Sequence, residues 1–226
     1  MRRDDSVGVR GRRDNTAVEA YIGRMNSPSF APTTLTGEAV LLEPLAEMHW
    51  PGILAVGLAP ALWTWTIDRV TGEPDLRRWF DQALAAAAAG QAVPFATILR
   101  ESGRVVGSTR FGHLDAHNRR VEIGWTWVAP MWQRTGVNAE AKYLMFRHAF
   151  EVWRCHRVEL KTDALNVQSR GAMARLGARE EGVFRRYQLR QDGRVRDTAW
   201  YSVIADEWPG VKSGLERRLW ESPPAR

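Results

Sequence analysis

The sequence predicts an α/β protein in which a mixed sheet is covered by helices. Three observations lead there. Strand-like segments crowd between residues 94 and 128, a strand–loop–helix–strand unit spans 119–164, and two further strands close around "QDGR" at 191–194.

Taken in order, residues 1–33 mix Arg with Asp, lack apolar periodicity and end in "NSPSFAPTT", so a flexible N-terminal tail is expected there. Met25 is an alternative start. A first strand is expected at "EAVLLEPL" (38–45), then a turn-rich helical stretch over 46–67 punctuated by Pro51 and Pro60. Pro74 suits the first turn of a helix that Gly90 can end. "PFATILR" and "RVVGSTRFGHL" read as a hairpin about "ESGR". In "RRVEIGWTWV" (119–128), Val121, Ile123, Trp125 and Trp127 alternate with Glu122, Gly124 and Thr126, the period of a two-faced strand. A helix over 139–153, a strand over 156–164 and a short helix over 167–176 come next, the last bracketed by Asn166 and Gly177 as caps. The domain is expected over 34–206, with a C-terminal helix and tail over 207–226.

With 226 residues, 44% of them hydrophobic, the chain can bury a sizeable core. No run of about 18 apolar residues suggests a membrane span. The charged N-terminus has no apolar stretch behind it and is not a secretory signal. One cysteine, Cys155, excludes an internal disulfide framework and fits a cytoplasmic location. The net charge of +6 comes almost wholly from arginines interleaved with acids. That pattern points to a face attracting acidic or phosphorylated ligands more than to a nucleic-acid binder. His113 and His117 are too few and too loosely spaced for a metal site, so none is expected.

The chemistry-bearing stretch is "WVAPMWQRTGVNAEAKYLMFRHAFE", residues 127–151. A strand ends at a proline, and a loop with one glycine opens a helix. The first amides of a helix lack internal partners and sit at the positive end of its dipole. A glycine just ahead lets the backbone close on an anion such as a pyrophosphate. The loop is neither G-x-x-x-x-G-K-[ST] nor G-x-G-x-x-G. On spacing alone, an ordinary turn with a glycine is the stronger reading.

Residues 119–190, quoted as "VEIGWTWVAPMWQRTGVNAEAKYLMFRHAFE" and "RVELKTDALNVQSRGAMARLGAREEGVFR", resemble the core of the GNAT acetyltransferase superfamily in its RimJ/RimL-like branch. The resemblance implies a GNAT-like fold: a central twisted, mostly antiparallel sheet with splayed strands 4 and 5, flanked by helices. It implies acetyl-CoA as co-substrate, its pyrophosphate on the loop Gln133, Arg134, Thr135, Gly136, Val137 and Asn138. The pantetheine arm would run along Trp127 and Val128, with Asn166 also in contact. Asn138 stands where a second small residue is usual, and it could serve as the helix N-cap. The family's tyrosine, seven positions after Asn166, is here Met173, so Ser169 becomes the candidate for returning a proton to the thiolate.

Amine attack on a thioester also needs a base. Glu122, expected on the strand face opposite the tryptophans, is that candidate; the competing reading is a strand glutamate paired with Arg119 or Arg120. Asn166 could equally do no more than cap its helix, and Ser169 sit in its first turn. His49, Trp50, Trp63 and Trp65 are expected as an acceptor-side aromatic wall, or else as core. Cys155 as acyl nucleophile is weak, because adjacent His156 should point the other way.

The reading is an N-acetyltransferase transferring acetyl from acetyl-CoA to a primary amine, either a protein N-terminus or a small molecule, acting as monomer or homodimer. Alternatives are a catalytically silent acyl-CoA-binding module and a basic nucleic-acid-associated protein.

Overall fold

The structure, a computed structural model, describes residues 28–221. Its strands are β1 (Leu35–Thr36), β2 (Val40–Pro44), β3 (Val93–Leu99), β4 (Val105–Asp115), β5 (Arg120–Val128), β6 (Arg157–Asp163), β7 (Arg179–Leu189) and β8 (Val195–Ile204). The helices are α1 (Trp50–Gly57), α2 (Glu73–Ala88), α3 (Val137–Arg147), α4 (Val167–Arg175) and α5 (Trp208–Glu216). All eight strands join in one sheet in the order β1-β2-β3-β4-β5-β6-β8-β7. Every pairing is antiparallel except β5 with β6. Most of the expected tail lies outside the described residues. Within its last part, Phe30 packs edge-on against Trp153 at 4.9 Å.

Local chemistry accounts for the elements. Pro74 enters α2 in its first turn beside Glu73 and Asp75, where carboxylates favour the helix dipole. Leu76, Trp79, Phe80 and Ala83 then form its buried stripe. Gly103 and Gly193 take left-handed backbone in the two hairpin turns (φ +66° and +84°). Asn166 caps α4 by accepting the Ser169 amide at 3.0 Å, and Gly177, at φ +89°, ends it.

The sheet separates two cores. One holds Val121, Ile123, Val128, Val158 and Leu160 against α3 and α5; the other holds Trp63, Trp79, Phe80 and Trp127 between the sheet, α1 and α2.

Strand β5 departs from the expected alternation. Trp125 takes left-handed backbone (φ +49°), and the β4–β5 register shifts between Ser108 and Arg110. This is a β-bulge, which inserts a residue and reverses the facing of the strand residues after it. Thr126 therefore turns towards α3, while Trp125 and Trp127 turn to the α1–α2 face. Glu122 shares that face with the tryptophans, which corrects the expectation that it stands opposite them.

Beneath the bulge, on the α3 side, lies a fully buried lysine. Lys142 Nζ donates to Thr109 Oγ1 at 3.0 Å and to Thr126 Oγ1 at 2.5 Å, and Thr126 Oγ1 donates to the Gly124 carbonyl at 3.2 Å. No carboxylate pairs with it among the described residues. Burial pushes its ammonium down from 10.5 to about 7.

Candidate active site

The parallel ladder between β5 and β6 is short. It joins Arg120 to Arg157, Val121 to Val158 and Glu122 to Glu159, and then stops. Beyond Glu122 the strands part, so the β6-facing edge of β5 has no strand partner as far as Val128. These are the fourth and fifth strands counted from β2, the pair expected to splay.

One lip of the fork is the loop into α3. Arg134 and Gly136 both take left-handed backbone (φ +63° and +92°), and Gly136 is the residue that caps the helix. The first intrahelical bond runs from Glu140 N–H to the Gly136 carbonyl at 2.9 Å. The amides of Val137, Asn138 and Ala139 precede it and have no partner inside the helix. A Cβ built on Gly136 would meet nothing within 4 Å, so the space before these amides is open. Gln133 braces the loop by donating its side-chain amide to the Val128 carbonyl at 3.0 Å, and Thr135 Oγ1 donates to the Trp132 carbonyl at 2.7 Å. Asn138 is not the N-cap that was expected. It lies one residue inside the helix, and its Oδ1 is buried without a hydrogen-bond partner.

The other lip is the turn from β6 into α4. Asn166 is engaged as the cap, and Ser169 is half-buried in the first turn.

At the base of the fork sits Glu122, 5% exposed. Its Oε2 is 2.6 Å from Lys161 Nζ and 3.4 Å from His113 Nε2. Its Oε1 lies over Gly124, where a Cβ would come within 2.9 Å. Arg120, considered from sequence as its partner, pairs instead with Asp115 and Glu159. Lys161 also stands over the Trp200 ring at 4.4 Å, and Trp125 stacks on His113 at 5.8 Å. Lys161 was missed because its place beside Glu122 follows from the parallel register, which no local pattern shows. Its only signal is the period-2 spacing from Arg157 and Glu159.

The four early residues part company. Trp63, with its indole N–H on the Gly57 carbonyl at 2.8 Å, packs with Trp79 and Trp127 at 5.6 and 5.9 Å. It therefore reaches β5. Trp65 is exposed in the following loop, and its carbonyl accepts from Arg196 at 3.2 Å. His49 is buried over β2, with Nδ1 accepting from the Ala46 amide and Nε2 facing Glu43, each at 3.0 Å. Trp50 packs on Phe80 beneath Arg77. His49 and Trp50 thus stand apart from the fork. Cys155 is buried, and burial pushes its thiol up to about 12, whereas His156 is exposed. Among the described residues no group of three or more His, Cys, Asp or Glu could hold a metal. No helix there is long and apolar enough to cross a membrane.

The fork thus brings together a carboxylate at its base and, at its lip, helix amides with no partner inside the helix. Comparison with known proteins gives the family. Residues 39–179 match the GNAT acetyltransferase domain, and the chain belongs to that family. It is similar to the uncharacterized N-acetyltransferase p20 of Bacillus licheniformis, at 30% identity over 121 residues, covering 54% of this chain and 67% of p20. Among solved structures it resembles a GCN5-related N-acetyltransferase from Brucella melitensis (29% identity, TM-score 0.79, covering 88% of this chain and 91% of that one). It also resembles Mycobacterium smegmatis RimJ in complex with CoA-disulfide (26% identity, TM-score 0.69, covering 83% and 93%), in keeping with the RimJ/RimL-like branch.

Proposed function

We propose that the protein transfers an acetyl group from acetyl-CoA to a primary amine by direct attack in a ternary complex. The observation that carries this is the fork itself, with Glu122 at its base and the open amides of α3 at its lip. The likeness to RimJ favours a protein N-terminus as acceptor, a small amine being the other source. The cytoplasm is the expected location.

The residues present suit the coenzyme. A pyrophosphate before Gly136 would meet the Val137, Asn138 and Ala139 amides at the positive end of α3, with exposed Arg134 beside it. The edge of β5 from Trp125 to Val128, which has no strand partner, can hydrogen-bond an extended amide-bearing arm. Acetyl-CoA supplies an acyl group activated as a thioester. In the transfer the amine nitrogen bonds to the carbonyl carbon, the carbon–sulfur bond breaks, and the nitrogen loses a proton while the thiolate gains one. Glu122, whose Oε2 meets Lys161 and whose Oε1 lies over Gly124, is the candidate to take the first proton. Ser169 is the candidate to return the second. The raised Cys155 thiol argues against a covalent acyl-enzyme.

A second reading, coenzyme binding without turnover, is favoured by Met173 in place of the tyrosine and by the engagement of Glu122 with Lys161. Thiol release from acetyl-CoA against a panel of N-terminal peptides and small amines, together with calorimetry of CoA binding, separates them. Turnover supports the first reading, binding alone supports the second, and neither result removes both.

A further inference from the structure

On the α1–α2 face of the fork, buried nitrogens go unpaired. Arg110 is 6% exposed, its Nε is buried without a partner, and its side chain makes no hydrogen bond or ion pair among the described residues. Its guanidinium is held between the rings of Trp79 at 5.5 Å and Trp125 at 5.0 Å. Trp127 Nε1 and Trp200 Nε1 are likewise buried and unpaired. Buried indole and guanidinium donors ordinarily find acceptors, and leaving one unmet is costly. Asp68 is close enough to act on Arg110 but forms no ion pair with it, and burial raises the carboxyl of Asp68.

The sheet fixes where this charge stands relative to Glu122. Arg110 faces Gly124 across the β4–β5 ladder, and Glu122 faces Gly112, so the two are diagonal neighbours on one face. Their backbones are therefore roughly 7–8 Å apart. Both residues opposite them are glycines, and Trp125, turned over Gly112 by the bulge, lies in the strip between.

We propose that the acceptor carries an anionic group, a carboxylate, close to its amine: the amine faces Glu122 and the carboxylate takes the open guanidinium of Arg110. This rests on the acetyltransferase reading and adds the class of acceptor to it. Such a ligand supplies the acceptor oxygens that these donors lack, and Arg110 is held in place by two aromatic rings before the ligand arrives.

The test uses matched peptides beginning Glu-Ala or Gln-Ala, which differ in one charge and hardly at all in shape. Wild-type kcat/KM should favour the acidic peptide by about ten- to hundred-fold, the worth of a hydrogen bond to a charged group. The preference should lie in KM. Arg110→Met, checked for native fold by circular dichroism, should bring the two peptides level, and Arg110→Lys should restore part of the preference. Calorimetry of both peptides with coenzyme-free protein reads the same contact without turnover, with the acidic peptide expected to bind more tightly by a similar factor. Equal or reversed preference in the wild type, or a preference that survives in Arg110→Met, overturns the inference. If acetyl-CoA is not consumed but the calorimetric preference holds and needs Arg110, the site stands and the catalytic reading falls.

Discussion

Replacing Lys142 by methionine should make the protein more stable in mild acid and less stable in alkali. In the folded chain, burial lowers the Lys142 ammonium from 10.5 to about 7. At about 1.4 kcal/mol per pH unit this amounts to roughly 5 kcal/mol of destabilisation. The unfolded chain binds the proton more tightly. The destabilisation is therefore complete below about pH 7 and is relieved as pH rises towards the unfolded value. Methionine has nearly the same length and carries no charge to desolvate. It loses the two bonds to Thr109 and Thr126, worth together about 2–3 kcal/mol, although those hydroxyls keep each other at 2.8 Å. The net expectation is a gain of about 2 kcal/mol at pH 6 and a loss of about 1 kcal/mol at pH 9.5. Urea unfolding of both forms at the two pH values, followed by tryptophan fluorescence, measures this, because taking the difference cancels other titrating groups. An equal difference at both pH values would refute the account.

Gly136→Asp should weaken CoA binding severely in a folded protein, since a carboxylate would stand before the α3 amides with the wrong charge, on backbone at φ +92° that disfavours any side chain; unchanged calorimetric affinity would count against the loop. Glu122→Gln should cut turnover by roughly 10²–10⁴-fold at neutral pH, the usual worth of a positioned base, with little change in coenzyme affinity; a rate within about threefold of wild type removes Glu122 from the mechanism. Cys155→Ala should keep most of the activity, and a radiolabelled acetyl group trapped on Cys155 at the turnover rate would contradict that.

Local signals were legible where one residue decides a backbone conformation. Asn166 and Gly177 bracket α4 as their chemistry requires, and the glycines of ESGR and QDGR make the turns. The loop that ends one strand and opens a helix was legible as well, but its cap fell on Gly136, not Asn138. Asn138 has the better side chain for capping, yet left-handed backbone at Gly136 opens the helix two residues earlier, and residue identity alone does not reveal that. Trp125 hid more. A period of two assumes one residue per pleat, and a tryptophan at φ +49° breaks that count without any glycine or proline to announce it. The facing of Glu122 relative to the tryptophans was misjudged for this reason. Lys161, Arg110 and Lys142 take their meaning from strand register and from helix-to-sheet packing, which are long-range.

Lys161, Lys142 and the bulge belong to one piece of construction. Glu122 and Glu159 lie side by side where the β5–β6 ladder ends, an arrangement of like charges that opposes pairing. Lys161 answers Glu122, while Arg157 answers Glu159 at 2.8 Å, so the last rung holds. Past that rung the bulge turns β5 aside, and its free edge becomes the wall of the fork. Such a turn needs support from below, because Thr126 now faces the core beneath α3, where an unpaired hydroxyl is costly. Lys142 supplies that support by binding Thr126, which in turn binds the Gly124 carbonyl on the bulge's other side. A charged residue in a dry core is a poor choice for stability alone. Its presence is intelligible if the conformation of β5 from Gly124 to Trp127 is what the protein must hold. On that view Lys142→Met, though more stable at pH 6, should still lose coenzyme affinity, because the gain in the core comes with a looser edge in the fork. A variant more stable and equally tight in binding CoA would show that the bulge holds its shape without the lysine.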